Sequence, residues 1–240
     1  MALLSPNILI YDFDGVIVDS REAVFKFYDI ICKRFGLPLI DRKNKELVEK
    51  ILMFTTKKAI NLLCQDKGAV DNILEYINEI DFTCLREFIF LQPNIEETLK
   101  LLQSKGYKIS LFTNRGDSTY TLLKHFNIYS YFDCIVTSMD VIKPKPSGEG
   151  LIKILDYFSA NNTESLYIGD TDFDYFASIE AGVPFVFYNN NKNSLQTKSE
   201  DFTNSTYHNP TTKTLLKQSI DEDSKSLCIY DHKEIFHYLE

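Results

Sequence analysis

The chain has no window approaching the ~18 uninterrupted apolar residues of a membrane span, and Met1 to Ile10 contain no basic region followed by a long apolar stretch. No membrane association is expected, and the expected location is cytoplasmic. Positive charge is in deficit: 26 Lys and Arg stand against 34 Asp and Glu, a formal net charge of −8. Nucleic acids and anionic membranes are held by clustered Lys and Arg, so neither is an expected partner. A small anionic substrate stays compatible with a locally electropositive site. The five cysteines (Cys32, Cys64, Cys84, Cys134, Cys228) are odd in number and widely spaced, with no CxxC and no Cys/His cluster. They read as reduced thiols, mostly in the core. No internal repeat is present.

What remains is an ordinary globular composition, 44% hydrophobic and 25% charged over 240 residues, enough for one large domain or a medium domain carrying a smaller one. Short apolar runs each end in a polar or acidic residue: Ile8 to Tyr11 before Asp12, Ile109 to Phe112 before Thr113, Cys134 to Val136 before Thr137, and Leu166 to Ile168 before Gly169-Asp170. They read as buried parallel strands. Helical patterns lie between them, Ile95 to Ser104 with a stop at Gly106 and Asp172 to Ala181 with a stop at Gly182. The alternation predicts an α/β sheet with right-handed crossovers. Asp12, Thr113 and Asp170 would then converge beyond the carboxyl ends of the strands, where such sheets bind ligands.

Residues 21–88 break the rhythm. Their periodicity is helical (Val24, Phe27, Ile31; Leu47, Ile51; Ile60, Leu63; Ile73, Tyr76, Ile77, Ile80) and predicts an inserted bundle placed as a lid over the strand ends. From Asn189 to about Ser226 the chain is rich in Asn, Ser, Thr and Lys, a long polar excursion. Leu227 to Tyr230 reads as a last strand, with Asp231 capping a closing helix through Tyr238.

Four segments carry chemistry. Asp12-Phe13-Asp14-Gly15 puts two carboxylates two residues apart at a strand end, before a glycine that permits a sharp turn. Asp12 can attack phosphorus as a nucleophile, while Asp14 protonates the leaving oxygen and later deprotonates water. Asp170 and Asp174, at another strand end, can join Asp12 around a hard cation such as Mg²⁺. Thr113 and the Asn114 backbone amide can donate to phosphate oxygens, and Lys145 or Lys143, in Lys143-Pro144-Lys145-Pro146, can supply a cation for phosphate. Taken singly, each has a plainer structural use: a strand–turn junction, a helix N-cap, a strand-ending Thr and a solvated turn.

In this order the segments resemble the haloacid dehalogenase-like hydrolase superfamily, in the phosphoglycolate phosphatase and beta-phosphoglucomutase-like branch with a helical cap. Asp12-Phe13-Asp14-Gly15-Val16 with Asp19-Ser20 is similar to its first motif, Phe112-Thr113-Asn114 to the second, Lys145-Pro146 to the third, and Gly169-Asp170-Thr171-x-x-Asp174 with Ala177, Ala181 and Gly182 to the fourth. The resemblance implies a Rossmann-like parallel three-layer α/β sandwich from residues 1–18 and 90–240, with a helical cap at 19–89. It implies a phosphatase acting on a small phosphorylated metabolite through an aspartyl-phosphate. Asp12, Asp14, Thr113 and Lys145 would be catalytic, Thr113, Asn114 and Lys145 would bind phosphate, and Asp12, Asp14 (through its carbonyl), Asp170 and Asp174 would hold Mg²⁺. Monomer or homodimer are both compatible. Counting back from the helix start at Gly150 favours Lys145 over Lys143. Two departures stand out: Gly148 where the family usually has proline, and Gln92-Pro93-Asn94 where it usually has Pro-Gly.

A dehalogenase has no second acid two residues after the nucleophile, because a halide leaves without a proton, so Asp14 favours phosphoryl chemistry. A phosphonatase would want a poised cap lysine, and Lys26 and Lys33 read as ordinary helix-face residues. A sugar phosphomutase shares all four motifs and stays open. So does a catalytically silent interaction module, although folding alone does not require clustered carboxylates. Lys57 and Lys58 read as a solvated helix start.

Overall fold

The computed structural model describes residues 6–189 and 228–239. In chain order its elements are β1 (Ile8–Tyr11), β2 (Val18–Asp19), α1 (Arg21–Phe35), α2 (Lys45–Met53), α3 (Thr56–Leu63), α4 (Lys67–Ile77), β3 (Phe90–Leu91) and α5 (Ile95–Ser104). There follow β4 (Lys108–Phe112), α6 (Ser118–His125), β5 (Cys134–Val136), α7 (Glu149–Phe158), β6 (Ser165–Gly169), α8 (Asp172–Ala181), β7 (Phe185–Tyr188) and β8 (Cys228–Ile229). A 3-10 helix over Phe82–Phe88 precedes β3 and another over His232–Tyr238 follows β8. Among the described residues no helix is long and apolar enough to cross a membrane.

All four residues of β1 are buried, as for a strand covered on both faces by helices. It lies between β4 and β6, with Tyr11 opposite Leu111 on one side and Ile168 on the other. The sheet order is β5-β4-β1-β6-β7-β8 and each of its ladders is parallel. Side chains of a strand alternate between faces. Ile8 and Ile10 pack with Phe112 and Tyr167 under Leu151, Ile154 and Leu155 of α7 and Ala177 of α8, while α5 lies against β4. The result is a Rossmann-like three-layer α/β core. The chain leaves β1 for β4 and β5 on one side, then returns to β6 and β7 on the other. Such a reversal opens a crevice at the carboxyl ends of the central strands.

By compactness the chain divides into two units, one comprising residues up to Ile17 and from Gln92 onward, the other Val18–Leu91. The second begins and ends in an antiparallel ribbon, Val18 opposite Leu91 and Asp19 opposite Phe90. Its core joins Phe25, Tyr28 and Ile31 of α1 to Ile40, Ile51, Ile60 and Ile73. Asn44, Thr55 and Asp66 cap α2, α3 and α4 by accepting from the backbone amides of Leu47, Lys58 and Gly68. Lys57 and Lys58 are exposed on the first turn of α3.

Three details differ from expectation. The fully buried face of α1 is Phe25, Tyr28, Ile31 and Cys32, with Val24 and Phe27 only partly covered. Apolar residues run so nearly around this helix that spacing alone does not choose a face. β7 and α6 were not anticipated. The closing element is a 3-10 helix, which Asp231 does cap, its carboxylate accepting from the Lys233 amide at 2.9 Å. The expected polar excursion after Asn189 falls outside the described residues.

Candidate active site

Asp12 is fixed by the sheet it terminates. Its amide adds one more rung beyond β1, donating to the Ile168 carbonyl at 2.9 Å, and its side chain is buried. The chain then turns at Gly15, whose φ of +89° is the left-handed region that favours glycine. Space demands glycine as well, since a Cβ there would lie 2.0 Å from Asp170 Oδ2. Three bonds secure the turn: Gln92 donates from Nε2 to the Gly15 carbonyl and from its backbone amide to the Ile17 carbonyl, both at 2.9 Å, and His232 Nε2 donates to the Val16 carbonyl at 2.8 Å. Gln92, read only as part of a loop lacking the family's usual Pro-Gly, thus has a definite use.

Lys145 reaches the same point from the loop between β5 and α7. Asn114 clamps that loop reciprocally, its Nδ2 donating to the Lys145 carbonyl at 3.0 Å while the Lys145 amide donates to Asn114 Oδ1 at 2.8 Å. Glu149, at the start of α7, accepts from the amides of Ile142 and Lys143. Lys145 Nζ donates to Asp12 Oδ1 and Asp174 Oδ1, each at 2.6 Å, and lies 3.1 Å from the Tyr167 hydroxyl. Lys143, by contrast, is exposed. Gly148 has a steric reason: a Cβ there would meet the Ala177 carbonyl at 2.8 Å, so α7 and α8 approach too closely for a side chain.

Asp174 has no unused oxygen. Its Oδ1 accepts from Lys145 and from the Tyr167 hydroxyl at 2.5 Å, and its Oδ2 accepts from Thr171 Oγ1 at 2.5 Å and the Thr171 amide at 3.1 Å. Asp170 is the opposite case, with Oδ1 buried and without a hydrogen-bond partner. Thr113, buried at the end of β4, accepts the Arg115 amide on Oγ1 at 3.0 Å, which leaves its hydroxyl hydrogen for another acceptor. Arg115 spans from there to Asp14, Nε to Oδ2 at 2.8 Å and Nη2 to Oδ1 at 2.6 Å, a bidentate pair.

Asp12, Asp170 and Asp174 each offer a carboxylate oxygen within 4.8 Å of the others, against the single buried ammonium of Lys145. Burial pushes the Asp12 carboxyl up to about 7, Lys145 pulling it down and Asp174 pushing it further up. Burial, then Asp12 and Asp174, push Asp170 well above the usual carboxylate range. Burial also acts on Asp174, but Lys145 and the hydrogen bonds from Lys145, Thr171 and Tyr167 outweigh it and hold that group below its ordinary value. A surplus of buried negative charge, with one carboxylate oxygen lacking a donor, has the character of a divalent-cation site with hard oxygen ligands. Asp12 and Asp170 have oxygens to give. Asp174 is committed to holding Lys145.

A family model for haloacid dehalogenase-like hydrolases matches residues 9–188, three quarters of the chain, with Asp12, Thr113, Lys145, Asp170 and Asp174 all inside the match. The chain belongs to the haloacid dehalogenase-like hydrolases. Among relatives, a phosphoglycolate phosphatase of Nitrosococcus oceani is 28% identical over 199 residues, covering 77% of this chain and 84% of its own. A pyrophosphatase PpaX of Bacillus mycoides is 24% identical over 182 residues, covering 75% and 82%. A solved haloacid dehalogenase-superfamily hydrolase, subfamily IA, variant 1, from Geobacter sulfurreducens superposes with a TM-score of 0.76 at 25% identity, covering 100% of this chain and 98% of that one. The haloacid dehalogenase-like core accounts for the convergence of Asp12, Thr113, Lys145, Asp170 and Asp174. Arg115, Tyr167 and His232 were not anticipated. Of these Arg115 gave a usable signal, a cation directly after Thr113-Asn114.

Proposed function

We propose that this hydrolase is a Mg²⁺-dependent phosphatase that cleaves a small phosphorylated metabolite of the kind named for its relatives, through an aspartyl-phosphate on Asp12. The observation that carries the reading is the setting of Asp12: a buried carboxylate held at the end of β1, with Lys145 on Oδ1 and the unpartnered oxygen of Asp170 close by. Asp12 attacks phosphorus and the substrate alkoxide leaves with a proton from Asp14. Asp14 then takes a proton from water, which attacks the same phosphorus, releases inorganic phosphate and restores Asp12. Lys145 keeps Asp12 ionised and oriented, and Thr113 and the Asn114 amide donate to phosphoryl oxygens. Asp174 positions Lys145. Mg²⁺, held by Asp12, the Asp14 carbonyl and Asp170, would offset repulsion between carboxylate and phosphate.

Release of phosphate from a panel that includes phosphoglycolate, sugar phosphates, nucleoside monophosphates and pyrophosphate is the test. Phosphate should appear with Mg²⁺ and fall to background in excess EDTA. Asp12→Asn should abolish both turnover and acid-stable label from ³²P-substrate. Full turnover in EDTA, or label retained on Asp12→Asn, would refute the reading. Isomerised sugar phosphate without phosphate release would replace it with a phosphomutase.

A further inference from the structure

We propose that Arg115 is the residue that selects the substrate, recognising a second anionic group beside the scissile phosphate and releasing Asp14 as it does so. The proposal rests on the phosphatase reading above and deepens it. In the structure both oxygens of Asp14 are engaged by the guanidinium fork of Arg115, at 2.6 and 2.8 Å. An acid that must donate to a leaving oxygen cannot do so while both its oxygens accept from one cation. Arg115 is mostly covered, with about a fifth of its side chain exposed. Burial alone would disfavour its charge, but Asp14 first, and Asp12 also, hold the guanidinium ionised. The cation is therefore felt at the nucleophile as well as at the acid.

Asp14 can leave this fork by two routes. With a substrate whose tail is neutral, Arg115 is left as a largely desolvated cation with no carboxylate partner, keeping only a 3.4 Å bond to Ser118 Oγ, which is costly. When the tail carries an oxyanion, carboxylate or phosphate, that group takes over the same bidentate donors and the exchange leaves the number of ion pairs unchanged. Substrate binding and the arming of Asp14 thus become one event. Arg suits this better than Lys, because a planar fork matches an oxyanion through two parallel bonds.

Matched esters separate the possibilities: phosphoglycolate, ethylene glycol bisphosphate, and ethylene glycol monophosphate, in which a hydroxymethyl group replaces the second anion. Wild-type enzyme should favour the first two over the third in kcat/KM by about tenfold or more, the loss expected when a charged group is left unpaired. Arg115→Gln should collapse that ratio towards one, and Arg115→Lys should leave it in between. Preference for only one of the two anionic esters identifies whether carboxylate or phosphate is the natural partner. If all three esters are equivalent in wild type, or the preference survives Arg115→Gln, or all three fall by the same factor, the proposal is overturned and the phosphatase reading stands. If Arg115→Gln does not fold, the ratio in Arg115→Lys decides, an unchanged ratio counting against the proposal. Should wild type hydrolyse none of them, these esters are not its substrates and the wider panel decides the phosphatase reading. Calorimetric binding of phosphoglycolate and the monophosphate to wild type and Arg115→Lys then decides on Arg115 alone, selective loss for phosphoglycolate supporting it and equal affinities overturning it.

Discussion

Two ion pairs of the same length, one in each unit of the chain, do opposite work. Lys145 and Asp12 meet at 2.6 Å, with side chains 4% and 7% exposed; Lys50 and Glu46 also meet at 2.6 Å, on successive turns of α2, with side chains 40% and 63% exposed. Water screens the second pair, and exposed pairs of this kind contribute little. In the first, water has been removed from both charges, and the attraction has to repay that loss. Helix α2 would lose little without its ion pair, whereas the carboxyl ends of β1 and β6 would be left with three carboxylates and no ammonium. Distance alone therefore says almost nothing about an ion pair's importance; the surrounding solvent does.

The contrast can be broken most forcefully at Lys145. Lys145→Met should lower turnover by about 100-fold or more, as for loss of a preorganised charge in a site that excludes water. Without divalent cation it should also destabilise the fold by ~3 kcal/mol in urea unfolding, because a buried charge loses its partner. Adding Mg²⁺ should restore part of that stability, since a cation would again balance Asp12 and Asp170. Lys143→Met, at the exposed neighbour, should change turnover less than twofold. A larger defect at Lys143 than at Lys145 would reverse the assignment.

A smaller effect is expected at His232, the buried group that remains uncharged. Burial pushes its imidazole down to about 4 from an ordinary 6.5, with only the Val16 carbonyl and Asp231 favouring the charged form. The unfolded chain therefore takes a proton that the fold refuses as pH drops from 6.5 towards 4. The contribution of His232 is complete above 6.5 and is lost on acidification at up to ~1.4 kcal/mol per pH unit within that window. Subtracting the pH profile of unfolding for His232→Gln from that of wild type should isolate this slope, and parallel profiles would remove the assignment. The smallest effect belongs to the exposed pair: Lys50→Ala should change stability by no more than ~0.5 kcal/mol. A loss of 2 kcal/mol there would erase the contrast between the two environments.

Strands β1, β4, β5 and β6 were legible because apolar runs ending in acidic or hydroxyl residues leave a local trace, and so was the convergence of Asp12, Thr113 and Asp170 at their ends. Lys145 could be preferred over Lys143 because counting back from a helix start puts it where the resembled family keeps its lysine. What the sequence concealed is pairing at long range. Arg115 meets Asp14 across 101 residues and His232 meets Val16 across 216, and no local pattern announces either. Tyr167 read as one more apolar strand residue, yet its hydroxyl reaches Asp174. Asp174 taken singly read as a helix cap and in context as a cation ligand, and only its four hydrogen bonds separate those uses. The α1 face was ambiguous because the helix is apolar on too many sides.

The bond from His232 to Val16 also orders events in time. The turn carrying Asp12 and Asp14 is synthesised before its holder, which is made 216 positions later. At roughly 5–20 residues per second, about 10–40 s of translation separate the two. Throughout that interval the loop of Asp12 and Asp14 lacks the His232 bond, one of the three that set it. Completion of the loop therefore waits for the residues that follow β8, and a transcript truncated just before β8 would yield a product with the first, second, third and fourth motifs intact and the loop unlatched.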